Sequence, residues 1–78
     1  MPWTYNIFDD DDGTSRVEIT DEDGETLPVA RQLTRTQAES LLQRIEREAR
    51  TERKPIKAVI RDPYFMAATV ITIKRQRI

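Results

Sequence analysis

The groups in this chain best equipped for chemistry are its carboxylates, and they crowd into two short runs, Asp9-Asp10-Asp11-Asp12 and Asp21-Glu22-Asp23. A glycine follows each run, Gly13 and Gly24. Alternate acids before a glycine suggest a calcium loop. Such a loop needs acids at its first, third and fifth positions, glycine at the sixth and a bidentate glutamate at the twelfth. With Gly13 in the sixth place, Asp10 and Asp12 fit but Phe8 stands first; with Gly24 there, Asp21 and Asp23 fit but Ile19 stands first. The twelfth places hold Ile19 and Ala30. Both runs fail at the same points, so the expectation is solvated turns, with no metal and no other cofactor.

Catalytic chemistry is equally short of parts. The chain has no histidine and no cysteine. That removes the commonest general base, the commonest metal ligand and any thiolate. Ser15 and Ser40 therefore lack a histidine to activate them. A carboxyl acting as general acid needs burial to raise its pKa, which an exposed turn does not provide. The two glycines are both used in turns, leaving none for a phosphate-cradling loop. A non-catalytic protein is expected.

Charge is distributed unevenly. Residues 1–26 carry nine acids and one base, Arg16, a net of −8; residues 27–78 carry twelve Lys/Arg and five acids, a net of +7. Two such fields can each steer a charged partner. Asp9, Asp10, Asp11, Asp12, Glu18, Asp21, Glu22 and Asp23 form the candidate acidic surface, and Trp3, Tyr5 and Phe65 are candidate aromatic anchors. The resulting expectation is a small protein-binding module whose acidic N-terminal meander docks on a basic partner surface. Phages and mobile elements use small charged proteins of this kind, some as inhibitors of a nucleic-acid-handling complex. The alternative is a nucleic-acid-binding domain using the basic helix face and the C-terminal strand through Arg44, Arg47, Lys54, Lys57, Lys74, Arg75 and Arg77. Glu46, Glu48 and Glu52 dilute that stripe, and no aromatic residue is interleaved for base stacking.

The elements that position these groups follow from periodicity. Trp3 to Ile7 and Arg16 to Thr20 alternate apolar and polar residues, the period of half-buried strands. Asp12-Gly13 and Asp23-Gly24 are hairpin signals, so the strands form an antiparallel meander with a short third piece from Thr26 to Ala30, weakened by Pro28. Ala38, Leu41, Leu42, Ile45 and Ala49 make one apolar stripe, predicting a helix to about Glu52. Thr34 with Gln37 is a capping box, Leu33 with Ala38 a hydrophobic staple, and Thr36 with Glu39 a competing start. Ile56 to Ile60 and the β-branched run from about Met66 to Arg77 read as two further strands.

The predicted fold is therefore α+β, a single domain over residues 1–78. It is a two-layer sandwich with an antiparallel sheet of four strands, or five if the short piece pairs, and one helix on one face. One helix covers only one face, so a bare sheet face or edge would be left for a partner or a homodimer. No apolar run reaches the length of a membrane span and no secretory signal is recognisable, so the expected location is the cytoplasm, with no membrane partner.

Overall fold

The computed structural model describes residues 2–76. Three strands come first, β1 (Thr4–Asp9), β2 (Ser15–Thr20) and β3 (Thr26–Leu33), and three helices follow, α1 (Arg35–Glu52), α2 (Ile56–Ile60) and α3 (Pro63–Arg75). The class is α+β, but the sheet has three strands rather than four or five. The two segments expected as later strands are α2 and α3.

The sheet is the expected meander, in the order β1-β2-β3, antiparallel throughout. β1 pairs with β2 in unbroken register from Thr4 opposite Thr20 to Asp9 opposite Ser15. β3 is longer than expected and its pairing shifts twice, between Ser15 and Val17 and between Val17 and Glu18. These irregularities let it carry Pro28, which has no N–H to give to a ladder. Val17 and Ile19 point into the core, with Tyr5 and Ile7 opposite them on the same face. The other face bears Thr4, Asn6, Phe8, Arg16, Glu18 and Thr20 and remains uncovered. Phe8, its one large apolar group, lies under the Arg16 guanidinium, 4.4 Å from ring centre to Cζ. This cation–π contact shields a side chain that would otherwise be bare.

α1 starts at Thr34, not Thr36. The Thr34 hydroxyl accepts from Gln37 N–H and the Gln37 side chain accepts from Thr34 N–H, completing the capping box. Leu33 and Ala38, on either side of the cap, are both fully buried. At the far end Arg53 adopts the left-handed conformation and its N–H bonds Ala49 C=O, which stops the helix before Pro55. α1 lies on β2 and β3; α2 and α3 pack on α1 and on each other. The core is shared accordingly. Val17, Ile19 and Leu33 come from the sheet, Ala38, Leu41, Leu42 and Ile45 from α1, Ile56 and Val59 from α2, and Ile73 from α3.

α3 overrides its own composition. Asp62 is its N-cap, with Oδ1 accepting from Tyr64 and Phe65 N–H at 3.1 and 3.2 Å, and Pro63 occupies the first turn. Proline suits that position because its missing N–H would be unpaired anyway. Phe65, Met66, Thr69, Val70 and Ile73 then form an inward stripe at helical spacing. Burying that stripe on α1 outweighs the β preference of Thr69 to Ile73. Asp62→Ala removes the cap and should cost about 1 kcal/mol; urea unfolding measures it, and an unchanged midpoint would show that the helix start does not depend on Asp62.

Candidate functional site

The two acidic turns share one backbone design. Gly13 N–H bonds Asp10 C=O and Asp10 N–H bonds Thr14 C=O; Gly24 N–H bonds Asp21 C=O and Asp21 N–H bonds Glu25 C=O. Both glycines sit at φ +83°, a left-handed conformation that side chains disfavour. The turns lie at opposite ends of β2, as its range requires. Their side chains have separate fates.

The second turn is bound to the helices. Asp21 is buried, and its Oδ1 accepts from Asp23 and Glu25 N–H, both at 2.9 Å. Lys57 of α2 puts its ammonium among three carboxylates: Asp23 Oδ2 at 3.1 Å, Glu25 Oε2 at 3.2 Å and Asp21 Oδ2 at 3.4 Å. Arg61 reaches Glu25 at 3.4 Å, and Glu22 Oε2 accepts from Ile56 N–H, a free donor at the start of α2. Desolvation acts to raise the Asp21 pKa, but the Glu25 and Asp23 N–H bonds and the Lys57 ammonium outweigh it and hold the carboxyl below its ordinary value of 3.8. The bonds to Asp23 and Glu25, against a smaller desolvation penalty, raise Lys57 above its ordinary 10.5. The cation in this acidic loop is thus a lysine of the chain itself.

The first turn is only partly neutralised. Arg16 Nε contacts Asp10 at 3.0 Å and its Nη1 contacts Glu18 at 3.4 Å. Asp9 accepts from the Ser15 hydroxyl at 3.1 Å and lies 3.5 Å from Arg35. Asp12 accepts from both the hydroxyl and the N–H of Thr14, the hydroxyl bond being the larger influence, and these hold its pKa below the ordinary value. Asp11 and Asp12 are exposed, and neither has a cationic partner among the described residues.

The aromatic candidates divide as well. Trp3 and Tyr5 lie together, ring centres 6.3 Å apart, on a shelf between β1 and α1 completed by Leu42, Gln43, Glu39 and Glu46. Phe65 is on α3, half-buried, beside Arg44, Arg47, Glu48, Thr51 and Thr69. The acidic and aromatic residues expected to form one surface therefore occupy four places: the two turns, the Trp3–Tyr5 shelf and Phe65 on α3. Of the basic candidates, Lys57 is held by the second turn. Arg44, Arg47, Lys54, Lys74 and Arg75 make no ion pair among the described residues, and Arg77 lies outside them. Lys74 and Arg75 end a helix, not a strand. Sequence reasoning missed Glu25 and the role of Lys57, because 34 residues separate Lys57 from Asp23.

No known protein family matches the chain, and neither a curated protein nor a solved structure matches it. No helix among the described residues is long and apolar enough to cross a membrane.

The Lys57 contacts fix a pH profile. Asp21, with its pKa lowered on folding, stabilises the fold fully above 3.8, and that contribution is lost as the pH falls below it. Lys57, with its pKa raised, contributes fully below 10.5, and its share is lost as the pH rises past that value. Thermal melts across pH should show a plateau between these values. Lys57→Met should lower the plateau and remove the alkaline share, whereas Lys54→Met should do neither. Equal melting of the two variants would mean that the ammonium does not hold α2 to the turn.

Proposed function

We propose that the chain is a small non-catalytic protein-binding module that accepts an extended, basic segment of a partner along β1. The observation behind this reading is the state of the two sheet edges. β3 carries Pro28 and two register shifts, features that obstruct a further strand. β1 has neither, and its residues from Thr4 to Phe8 bear no charge. An open, regular edge is a template for strand addition, in which main-chain bonds give affinity and flanking pockets give specificity.

The flanks supply the specificity. Near the start of β1, Trp3, Tyr5 and Leu42 offer an apolar shelf, with Glu39 and Glu46 at its rim. Tyr5 is 53% exposed. At the other end, Asp11 and Asp12 are free to receive cations. Four residues of strand separate Tyr5 from Asp9, ~13 Å at the usual rise. A fitting segment therefore carries an apolar side chain for the shelf and lysine or arginine about four to six residues away. A nucleic-acid-handling complex has basic surfaces of this sort, and occupying one would inhibit it. A second copy fits the edge less well, because it would bring the same glutamates and aspartates.

A labelled peptide of alternating valine and threonine ending in two lysines serves as probe, with a glutamate-ended control. The lysine peptide should bind in low salt and protect β1 amides from hydrogen exchange. Tyr5→Ala, and Asp11→Asn with Asp12→Asn, should each weaken it at least ~tenfold, a loss visible by anisotropy. Affinity unchanged by both variants, or protection confined to β3, would remove the proposal.

A further inference from the structure

The helical side of the molecule carries a second surface built from other residues. α3 has apolar or small groups on its outward face as well as its inward one. Tyr64 is 86% exposed and Ile71 50%, and Ala67, Ala68 and Thr72 are exposed between and beside them. Tyr64, Ala68 and Ile71 recur at spacings of four and three, so they form one stripe along the helix. Helices with a solvated outer face normally place charges there. α3 has no charged residue from Pro63 to Ile73, while Lys74 and Arg75 close its C-terminal end.

This stripe borders a groove. Phe65 and Thr69 of α3 form one wall, and Arg44, Arg47, Glu48 and Thr51 of α1 form the other. Ala68 and Thr72, three residues on from Phe65 and Thr69, continue that wall onto the exposed face. Arg44, Arg47, Lys74 and Arg75 make no ion pair among the described residues, and Glu48 is the one acid lining the groove. The surface is thus an apolar strip with a cationic rim, and alanines at its middle allow close approach of another backbone.

From this complementarity we infer that the α1–α3 side docks an acidic amphipathic helix of a partner protein. Apolar side chains of that helix lie along Tyr64, Ala68 and Ile71, and its carboxylates face Arg44, Arg47, Lys74 and Arg75. A nucleic acid fits less well. Phosphates would find no cation along the centre of the strip, and Glu46, Glu48 and Glu52 alternate with the arginines of α1. The inference uses no residue of the β1 site, so either can fail alone.

The test uses a labelled helical peptide with leucines on one face and glutamates on the other. Its lysine counterpart and a duplex DNA are the comparison probes. Binding is read by anisotropy on the full chain, with sedimentation for self-association. The glutamate peptide should bind in low salt and the lysine peptide should not. Arg47→Glu, and Tyr64→Ser with Ile71→Ser, should each weaken it at least ~tenfold, while Tyr5→Ala leaves it unchanged. All these positions except Arg47 are half or more exposed by the values above, and circular dichroism confirms that each variant stays folded. Absence of binding overturns the inference. So does peptide affinity indifferent to Tyr64→Ser with Ile71→Ser. DNA binding abolished by Arg47→Glu but not by the serine pair assigns the face to phosphates, and self-association lost in the serine pair assigns it to a second copy; either result overturns the proposal.

Discussion

One ammonium among three carboxylates ties the two halves of this molecule together. Lys57 belongs to a five-residue helix, too short to persist alone. Its three partners all belong to the turn between β2 and β3. The buried Asp21 cannot be left without a counterion, because an unpaired charge in that position would be costly. Lys57, together with the Glu22 bond to the first turn of α2, fixes where α2 starts. That position in turn sets where Ile56 and Val59 enter the core and where α3 begins two residues after α2. The turn is therefore a structural joint between sheet and helices, and Lys57 and Arg61 answer about half of its charge within the fold.

This joint changes how the overall charge division should be read. The −8 of the first 26 residues is a property of the sequence, and folding brings Lys57 and Arg61 onto one part of it and Arg35 onto another. What remains free at the sheet end is Asp11 and Asp12. What remains free on the helices is a set of cations around α1 and the end of α3. Polarity survives, but as two smaller fields in different places.

The readable parts of the fold were those specified within a few residues. The Thr34–Gln37 capping box and the stripe from Ala38 to Ile45 defined α1, and the Asp-Gly pairs defined both turns. β3 ran three residues past Ala30 because its shifted pairing absorbs Pro28, an arrangement that depends on β2 rather than on β3 alone. α3 carries its helix signals in the sequence. Asp62-Pro63 is a helix start, and Phe65, Met66, Thr69, Val70 and Ile73 keep helical spacing, but the run of β-branched residues suggested a strand. Context decided, since those residues face α1 and not a fourth strand. The site was legible in part for the same reason. Alternation put Trp3, Tyr5 and Ile7 in one row, whereas the pairing of Lys57 with a distant turn is a tertiary fact with no local sign.

An open strand edge is a hazard for a small protein, and the placement of its remaining acids bears on how that hazard is contained. Sheets with bare edges tend to pair with one another unless charge, proline or irregularity intervenes. β3 has the proline and the irregularity. β1 has neither within its length, and the acids stand around it instead: Asp9 to Asp12 at one end and Glu39 and Glu46 on the adjoining helix. Parallel pairing of two copies would bring their aspartate turns side by side. Antiparallel pairing would place both sets of glutamates on the same face of the joined sheet. Repulsion opposes self-pairing in either case, and the same charges attract a basic chain. On the proposed reading, a single arrangement of carboxylates would serve both purposes, opposing self-pairing of an edge that has no covering element and favouring a basic partner chain.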